Sequence, residues 1–165
     1  MSELTMGSLF DGIGGFPLAA VRNGITPVWA SEIEPFPIEV TKTHFPDMVH
    51  VGDITKLNGA DLPPVDIICG GSPCQDLSVA GARAGLAGAR SGLFMEQIRI
   101  VKEMRDADRV RGRPDELLRP RFMGWENVPY VLKHINDVMN RNQLCKVLSP
   151  KSSKTGQIAL FRCEY

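Results

Sequence analysis

The sequence has no excess of charge of either sign: lysines and arginines number 19, aspartates and glutamates 19, and the formal net charge is zero. That balance excludes a global electrostatic pull toward nucleic acid and leaves any such contact to a local patch. Cysteine is scarce. Cys69, Cys74, Cys145 and Cys163 form no Cys-x-x-Cys pair and no Cys/His cluster at zinc-ligand spacing, so no metal site is expected. No run approaches the roughly 18 consecutive apolar residues of a membrane span. The first dozen residues have neither a basic start nor a long apolar stretch, so no secretory leader is expected. A cytoplasmic, reducing location is the expectation, and there a cysteine is more often reactive or buried than disulfide-bonded. Internal repeats and low-complexity tracts are lacking too. At 165 residues the chain has room for one well-cored domain but not two.

What is present is alternation. Thr5–Phe10, Pro27–Ser31, Met48–Gly52, Val65–Gly70 and Arg121–Glu126 read as strands. Helices are expected over Phe16–Asn23, Phe36–Phe45, Leu93–Met104 and Val131–Met139, where apolar residues such as Phe94, Ile98 and Val101 share one helical face. Strands separated by helices predict a doubly wound α/β domain with a mostly parallel sheet. Two stretches interrupt the pattern. Gln75–Gly92 is rich in Gly, Ala and Arg and too long for a tight turn, which marks a functional loop. Asp106–Arg121 is dense in charge and reads as a solvated connection.

Phe10, Asp11, Gly12, Ile13, Gly14 and Gly15 follow the first strand and open the first helix, where glycines let the backbone approach a ligand. Glu32 comes 20 residues after Gly12, at the end of the second strand, where a Rossmann-like unit offers a carboxylate to ribose hydroxyls. Pro17 stands where the pyrophosphate fingerprint needs its third glycine, which favours an adenosine-like ligand without phosphates. A turn serving chain geometry alone is the other reading. Asp53 with Ile54 ends the third strand and is placed to meet an adenine ring, or Asp53 is a helix N-cap.

The turn Cys69-Gly70-Gly71-Ser72-Pro73-Cys74-Gln75 follows the apolar fourth strand. A cysteine just past a strand's carboxyl end, in a Gly/Pro turn, is placed for chemistry, and nearby backbone N–H groups favour its thiolate. Cys69 instead continues the apolar run and reads as a small buried hydrophobe. Cys145 and Cys163 have no evident context.

Phe10–Gly15, Glu32-Ile33, Asp53-Ile54, Pro73-Cys74-Gln75 and Glu126-Asn127-Val128 resemble, in the same order, the motifs of the C5-cytosine DNA methyltransferase family. The resemblance implies a Rossmann-like S-adenosylmethionine-dependent methyltransferase fold. It implies S-adenosyl-L-methionine as cofactor, held by Phe10, Asp11, Gly12, Gly14, Gly15, Glu32, Ile33, Asp53, Ile54, Pro73 and Leu93. By the same resemblance Cys74 is the thiolate that adds to cytosine C6, and Glu126 a buried carboxyl that hydrogen-bonds or protonates N3. Double-stranded DNA is the implied substrate, with Gln75, Ser78, Arg83, Arg90 and Asn127 as expected DNA contacts, the first four on a lid-like loop.

The resemblance breaks off after Val128. Residues 143–165 lack the family's arginine motif and its later motifs. The expected organisation is a partial catalytic domain over 1–142 and an atypical tail over 143–165, truncated at the C-terminus and with no target-recognition region. The last strands of the sheet are expected to be missing, leaving an unpaired edge or an improvised tail. Three standings for the chain stay open: a fragment, a frameshifted remnant, or one subunit of a split enzyme with a complementary partner. A tRNA cytosine methyltransferase and a non-catalytic cofactor-binding module are the competing functions.

Overall fold

The structure, a computed structural model, describes residues 3–73, 91–127, 145–153 and 156–163, with residues 91, 145–153 and 156–161 described as backbone only. The elements run β1 (Leu4–Leu9), α1 (Gly15–Arg22), β2 (Ile25–Ser31), α2 (Pro35–His44), β3 (Val49–His50), β4 (Ile67–Gly70), α3 (Ser91–Val110), β5 (Phe122–Asn127), β6 (Cys145–Ser153) and β7 (Gly156–Cys163), with short 3-10 turns at Ile54–Lys56 and Asp115–Leu117. One sheet holds them in the order β3-β2-β1-β4-β5-β7-β6. The pairs from β3 through β5 are parallel, and β7 runs antiparallel to both β5 and β6. The expected doubly wound, mostly parallel α/β fold is therefore present. Strand order reverses between β1 and β4, and crevices at such switch points are where open α/β sheets bind ligands.

The core forms where α3 packs on the sheet. Phe94, Ile98, Val101 and Met104 recur along one face of α3 and meet Leu9, Trp29, Ile68, Met123 and Trp125, all nearly without solvent contact. The Phe94 and Trp125 rings lie 4.4 Å apart between centroids. Gly7 has no side chain because the Trp29 ring lies over it: a Cβ there would fall 2.2 Å from Trp29 Cζ2. Polar Gln97 is fully buried in this layer and donates to the Gly124 carbonyl at 3.1 Å.

Three expectations need correction. Met48–Gly52 contributes only two residues of strand, because its pairing with β2 is confined to Trp29↔Val49 and Ala30↔His50. Helix α3 continues six residues past Met104, so Asp106–Arg121 is not simply a solvated connection. Asp108 and Leu118 within it are buried, and buried Arg105 just before it donates to the carbonyls of Leu118 (2.9 Å) and Pro120 (2.7 Å). Third, the 143–165 segment does not leave the sheet without further strands. β7 pairs along the whole of β5, with Glu126 opposite Ile158 and Asn127 opposite Gln157, and β6 then forms the outer edge. The expected helix at Val131–Met139 lies outside the described residues.

Candidate active site

A cavity of about 320 Å³ opens at the carboxyl ends of the strands, at the β1/β4 switch point. It is lined by Phe10 after β1, Ser31 at the end of β2 and Glu32, Ile33 and Glu34 after it, Asp53 and Ile54 after β3, Gly71 and Pro73 after β4, and Leu93 at the start of α3. Phe10, Glu32, Ile33, Asp53, Ile54, Pro73 and Leu93 were each expected at the cofactor site from sequence. Ser31, Glu34 and Gly71 were not. Ser31 gave a weak signal as the residue before Glu32; its hydroxyl donates to the Gly52 carbonyl at 2.6 Å and so ties the end of β2 to the chain before Asp53.

The glycine turn builds one wall indirectly, since Asp11, Gly12, Gly14 and Gly15 do not line the cavity. Phe10, Gly12 and Gly14 have φ of 54°, 57° and 89°, a left-handed run that glycine tolerates and Phe10 adopts at a cost. Gly14 is doubly constrained, because a Cβ there would meet Phe45 and Thr41 at 2.9 Å. The turn is latched by Glu32: one carboxylate oxygen accepts the Gly12 N–H at 2.8 Å, the other those of Ile33 (2.7 Å) and Glu34 (3.1 Å). Asp53 takes the capping role considered for it. It caps the 3-10 turn, accepting from the Thr55 N–H (3.0 Å) and hydroxyl (2.8 Å), while also lining the cavity. Those two Thr55 bonds hold its carboxyl below the usual carboxylate range. Arg99 of α3 fixes this turn by donating to the carbonyls of Ile54 (2.9 Å) and Leu57 (2.8 Å), with Glu96 and Glu103 as its counter-charges.

Asp11 is buried behind the wall. Ser8 donates a 2.5 Å hydrogen bond to one carboxyl oxygen, and the other has no partner among the described residues. Burial pushes its pKa up to about 6, the Ser8 bond opposes the shift, and the nearby charge of Glu32 adds to it. The folded state therefore keeps this proton at pH values where an unfolded aspartate, near 3.8, has lost it. Stability should fall as pH rises from about 4 to 6 and carry the full penalty above, about 3 kcal/mol for a shift of this size. Asp11→Asn, which keeps an acceptor for Ser8, is expected to raise the urea midpoint at pH 7.5 and leave it unchanged at pH 3.5. An equal gain at both pH values would show that ionisation is not the cause.

The turn that leads to Cys74 is held from β5. Trp125 Nε1 donates to Ser72 Oγ at 3.1 Å and Asn127 Nδ2 to the Ser72 carbonyl at 3.1 Å, all three residues buried. Asn127, expected as a DNA contact, thus sits against the turn with its side chain inside the protein. Glu126, between these two anchors, points the other way. One of its carboxylate oxygens lies 3.1 Å from where a Gly71 Cβ would stand, so a glycine there leaves room for the carboxylate beside the turn. The expectation of a buried Glu126 is not met: Glu126 is the exposed position of β5, between buried Trp125 and Asn127. Cys69 faces Gly124, and burial pushes its thiol up to about 11 against the Gly124 hydrogen bond, which keeps it unreactive. Cys74, Gln75, Ser78, Arg83 and Arg90 lie outside the described residues. No described helix is long and apolar enough to cross a membrane.

The family model for C-5 cytosine-specific DNA methylase matches residues 4–150. The DNA N-6-adenine-methyltransferase of Escherichia phage P1 is 35% identical over 80% of the chain and 17% of its own length. The type II methyltransferase M2.BsuMI of Bacillus subtilis is 32% identical over 94% of the chain and 36% of its own length. A crystal structure from E. coli, described as a DNA modification methyltransferase encoded within a prophage, superposes with a TM-score of 0.72 at 27% identity, covering 97% of this chain and 47% of that one. The chain thus spans well under half the length of the curated relatives it matches.

Proposed function

The chain belongs to the C-5 cytosine-specific DNA methylase family, and from that premise we propose that it carries the cofactor and nucleophile half of a DNA cytosine C5-methyltransferase acting in the cytoplasm, in a restriction–modification or phage setting. The observation that carries this reading is the meeting, at one end of the sheet, of the cavity and the Gly71–Pro73 turn, with Glu126 beside that turn and Cys74 next in sequence. S-adenosyl-L-methionine is the cofactor that family membership implies, and the cavity suits it. Ile33, Ile54 and Leu93 offer apolar surface for an adenine, and the carboxylates of Glu32 and Asp53 offer acceptors for hydroxyl and amino groups. No phosphate-binding charge is needed there. When bound, the cofactor supplies an electrophilic methyl group.

The residues of this chain do the rest. Cytosine C5 is a poor nucleophile until C6 has been attacked, so the Cys74 thiolate forms a bond to C6 and pushes electron density toward C5. Glu126 hydrogen-bonds or protonates N3 and stabilises the ring as it becomes electron-rich. After C5 has gained the methyl group it loses its proton, the C6–S bond breaks, and the thiolate is restored. Trp125 and Asn127 position the turn that precedes Cys74 in sequence. The P1 relative's name specifies adenine N6, an exocyclic amine whose methylation needs no thiol addition. The pairing of Cys74 with Glu126 favours cytosine. Gln75, Ser78, Arg83 and Arg90 are assigned to the DNA-side loop, and a complementary part that recognises the target sequence completes the enzyme.

The test is a covalent trap. DNA containing 5-fluorocytosine cannot lose a proton from C5, so with S-adenosyl-L-methionine and this chain, together with a complementary recognition segment, a denaturation-resistant protein–DNA complex is expected. Cys74→Ser should abolish it, and an adduct surviving that change would overturn the assignment of the nucleophile. Calorimetry should show cofactor binding lost in Glu32→Ala.

A further inference from the structure

We propose that Cys145 and Cys163 form a redox-responsive pair, converted by a small disulfide of the glutathione class into an internal disulfide that staples β6 to β7. The sequence gives the two cysteines no shared context, being 18 residues apart, but the strand register sets them directly opposite each other in the antiparallel β6/β7 pair. The type of pairing matters. The Cys163 N–H donates to the Arg121 carbonyl at 2.9 Å, so the backbone polar groups of Cys163 face β5. On its β6 side Cys163 therefore occupies a non-hydrogen-bonded position, where facing Cα atoms approach to about 4.5 Å. That spacing falls within the roughly 4.4–6.8 Å range that a disulfide spans. The irregularity in β6 falls between Val147 and Ser149, after the cysteine pair, and leaves this register intact.

A pairing of Cys163 with Cys69 is disfavoured by the sheet itself. Cys69 aligns with Gly124, and Gly124 with Leu160. Leu160 and Cys163 are three residues apart on a regular strand and lie on opposite faces, so the sheet separates Cys69 from Cys163. Cys163 is 7% exposed, and β6 is the outer strand of the sheet; in the proposed exchange Cys145 attacks first. The Cys145 thiolate attacks one sulfur of oxidised glutathione, whose S–S bond breaks and releases a first glutathione thiolate. The Cys163 thiolate then attacks the Cys145 sulfur of the mixed disulfide and releases the second. Two protons leave the protein thiols and end on the two glutathiones; two electrons pass from the protein pair to the glutathione disulfide. In a reducing compartment the pair stays open, and oxidation closes it. Closure fastens the edge strand to β7, which itself pairs with β5 at Glu126 and Asn127.

The experiment uses the full chain, wild type and Cys74→Ser, incubated with oxidised glutathione, alkylated, and digested with trypsin without reduction. Both proteins are expected to yield the peptide 142–146 joined to the peptide 163–165. The melting temperature should rise by about 5 °C, a gain reversed by dithiothreitol and absent from Cys145→Ser and Cys163→Ser. Glutathione adducts without the internal bridge, bridges to Cys69 or Cys74, or no reaction at all in protein with native circular dichroism would each overturn the proposal.

Discussion

Asp108→Ala is expected to destabilise the protein by about 2–3 kcal/mol, the order of cost of leaving the donors that face a removed buried acceptor unsatisfied. Asp108 is 1% exposed and is the hub of the segment that returns the chain from α3 to β5. It accepts the Arg119 N–H (3.1 Å) and that residue's Nε (3.1 Å) and Nη2 (3.2 Å), and it pairs with Arg113 Nε at 3.2 Å. Burial alone would raise its pKa, but the Arg119 hydrogen bonds and the charges of Arg119 and Arg113 outweigh burial and hold the carboxyl below its ordinary value. A depressed carboxylate pKa stabilises the fold above the unfolded value, near 3.8, and this contribution is lost as pH falls through the folded value. The gap between wild type and Asp108→Ala in urea denaturation should accordingly be widest at neutral pH and narrow in strong acid. Asp108→Asn, which can still accept one hydrogen bond, should fall between the two. A loss below about 1 kcal/mol at pH 7 would place the cluster with ordinary surface ion pairs.

This hub also shows why a composition-based reading of Asp106–Arg121 fell short. Charge density suggests solvent, but charges that pair with one another can be buried, and pairing is a property of the fold. Only Arg111 lies at helical spacing from Asp108; Arg113 and Arg119 reach it after the chain reverses at Gly112, which has a φ of 84°. The parallel core strands, and the placing of Phe10, Glu32, Ile33, Asp53, Ile54, Pro73 and Leu93 at strand ends or the start of a helix, were legible because each is encoded locally, by an apolar run or by a turn. β6 and β7 were not. Pro150 and the polar residues around it give β6 little strand character, and what makes both segments strands is pairing that starts from β5. Glu126 was singled out through its motif, whereas its exposure follows from what covers that face of β5, which no motif carries. The Cys145–Cys163 juxtaposition belongs to the same class, since it exists only in the register.

Asn127→Ala is expected to slow formation of the 5-fluorocytosine adduct by about 100-fold while changing cofactor affinity by no more than a few-fold. Asn127 touches neither reactant in the proposed chemistry. It holds the Ser72 carbonyl, two residues before Cys74, and Trp125 holds the Ser72 hydroxyl from the same strand. Releasing one of two anchors lets the turn drift, and displacement of a nucleophile by about 1 Å is enough for a loss of that size. The cofactor wall is supported separately, by the Glu32 latch on Gly12 and by Arg99 beneath the Ile54 turn, so affinity should survive. A positioning role and a DNA-contact role make opposite predictions here. If Asn127 contacted DNA, Asn127→Ala would weaken DNA binding and saturating DNA would restore the rate of adduct formation. If it positions the turn, the deficit persists at saturation, and Asn127→Asp, which replaces the donor to a carbonyl with an acceptor, should be at least as slow as Asn127→Ala.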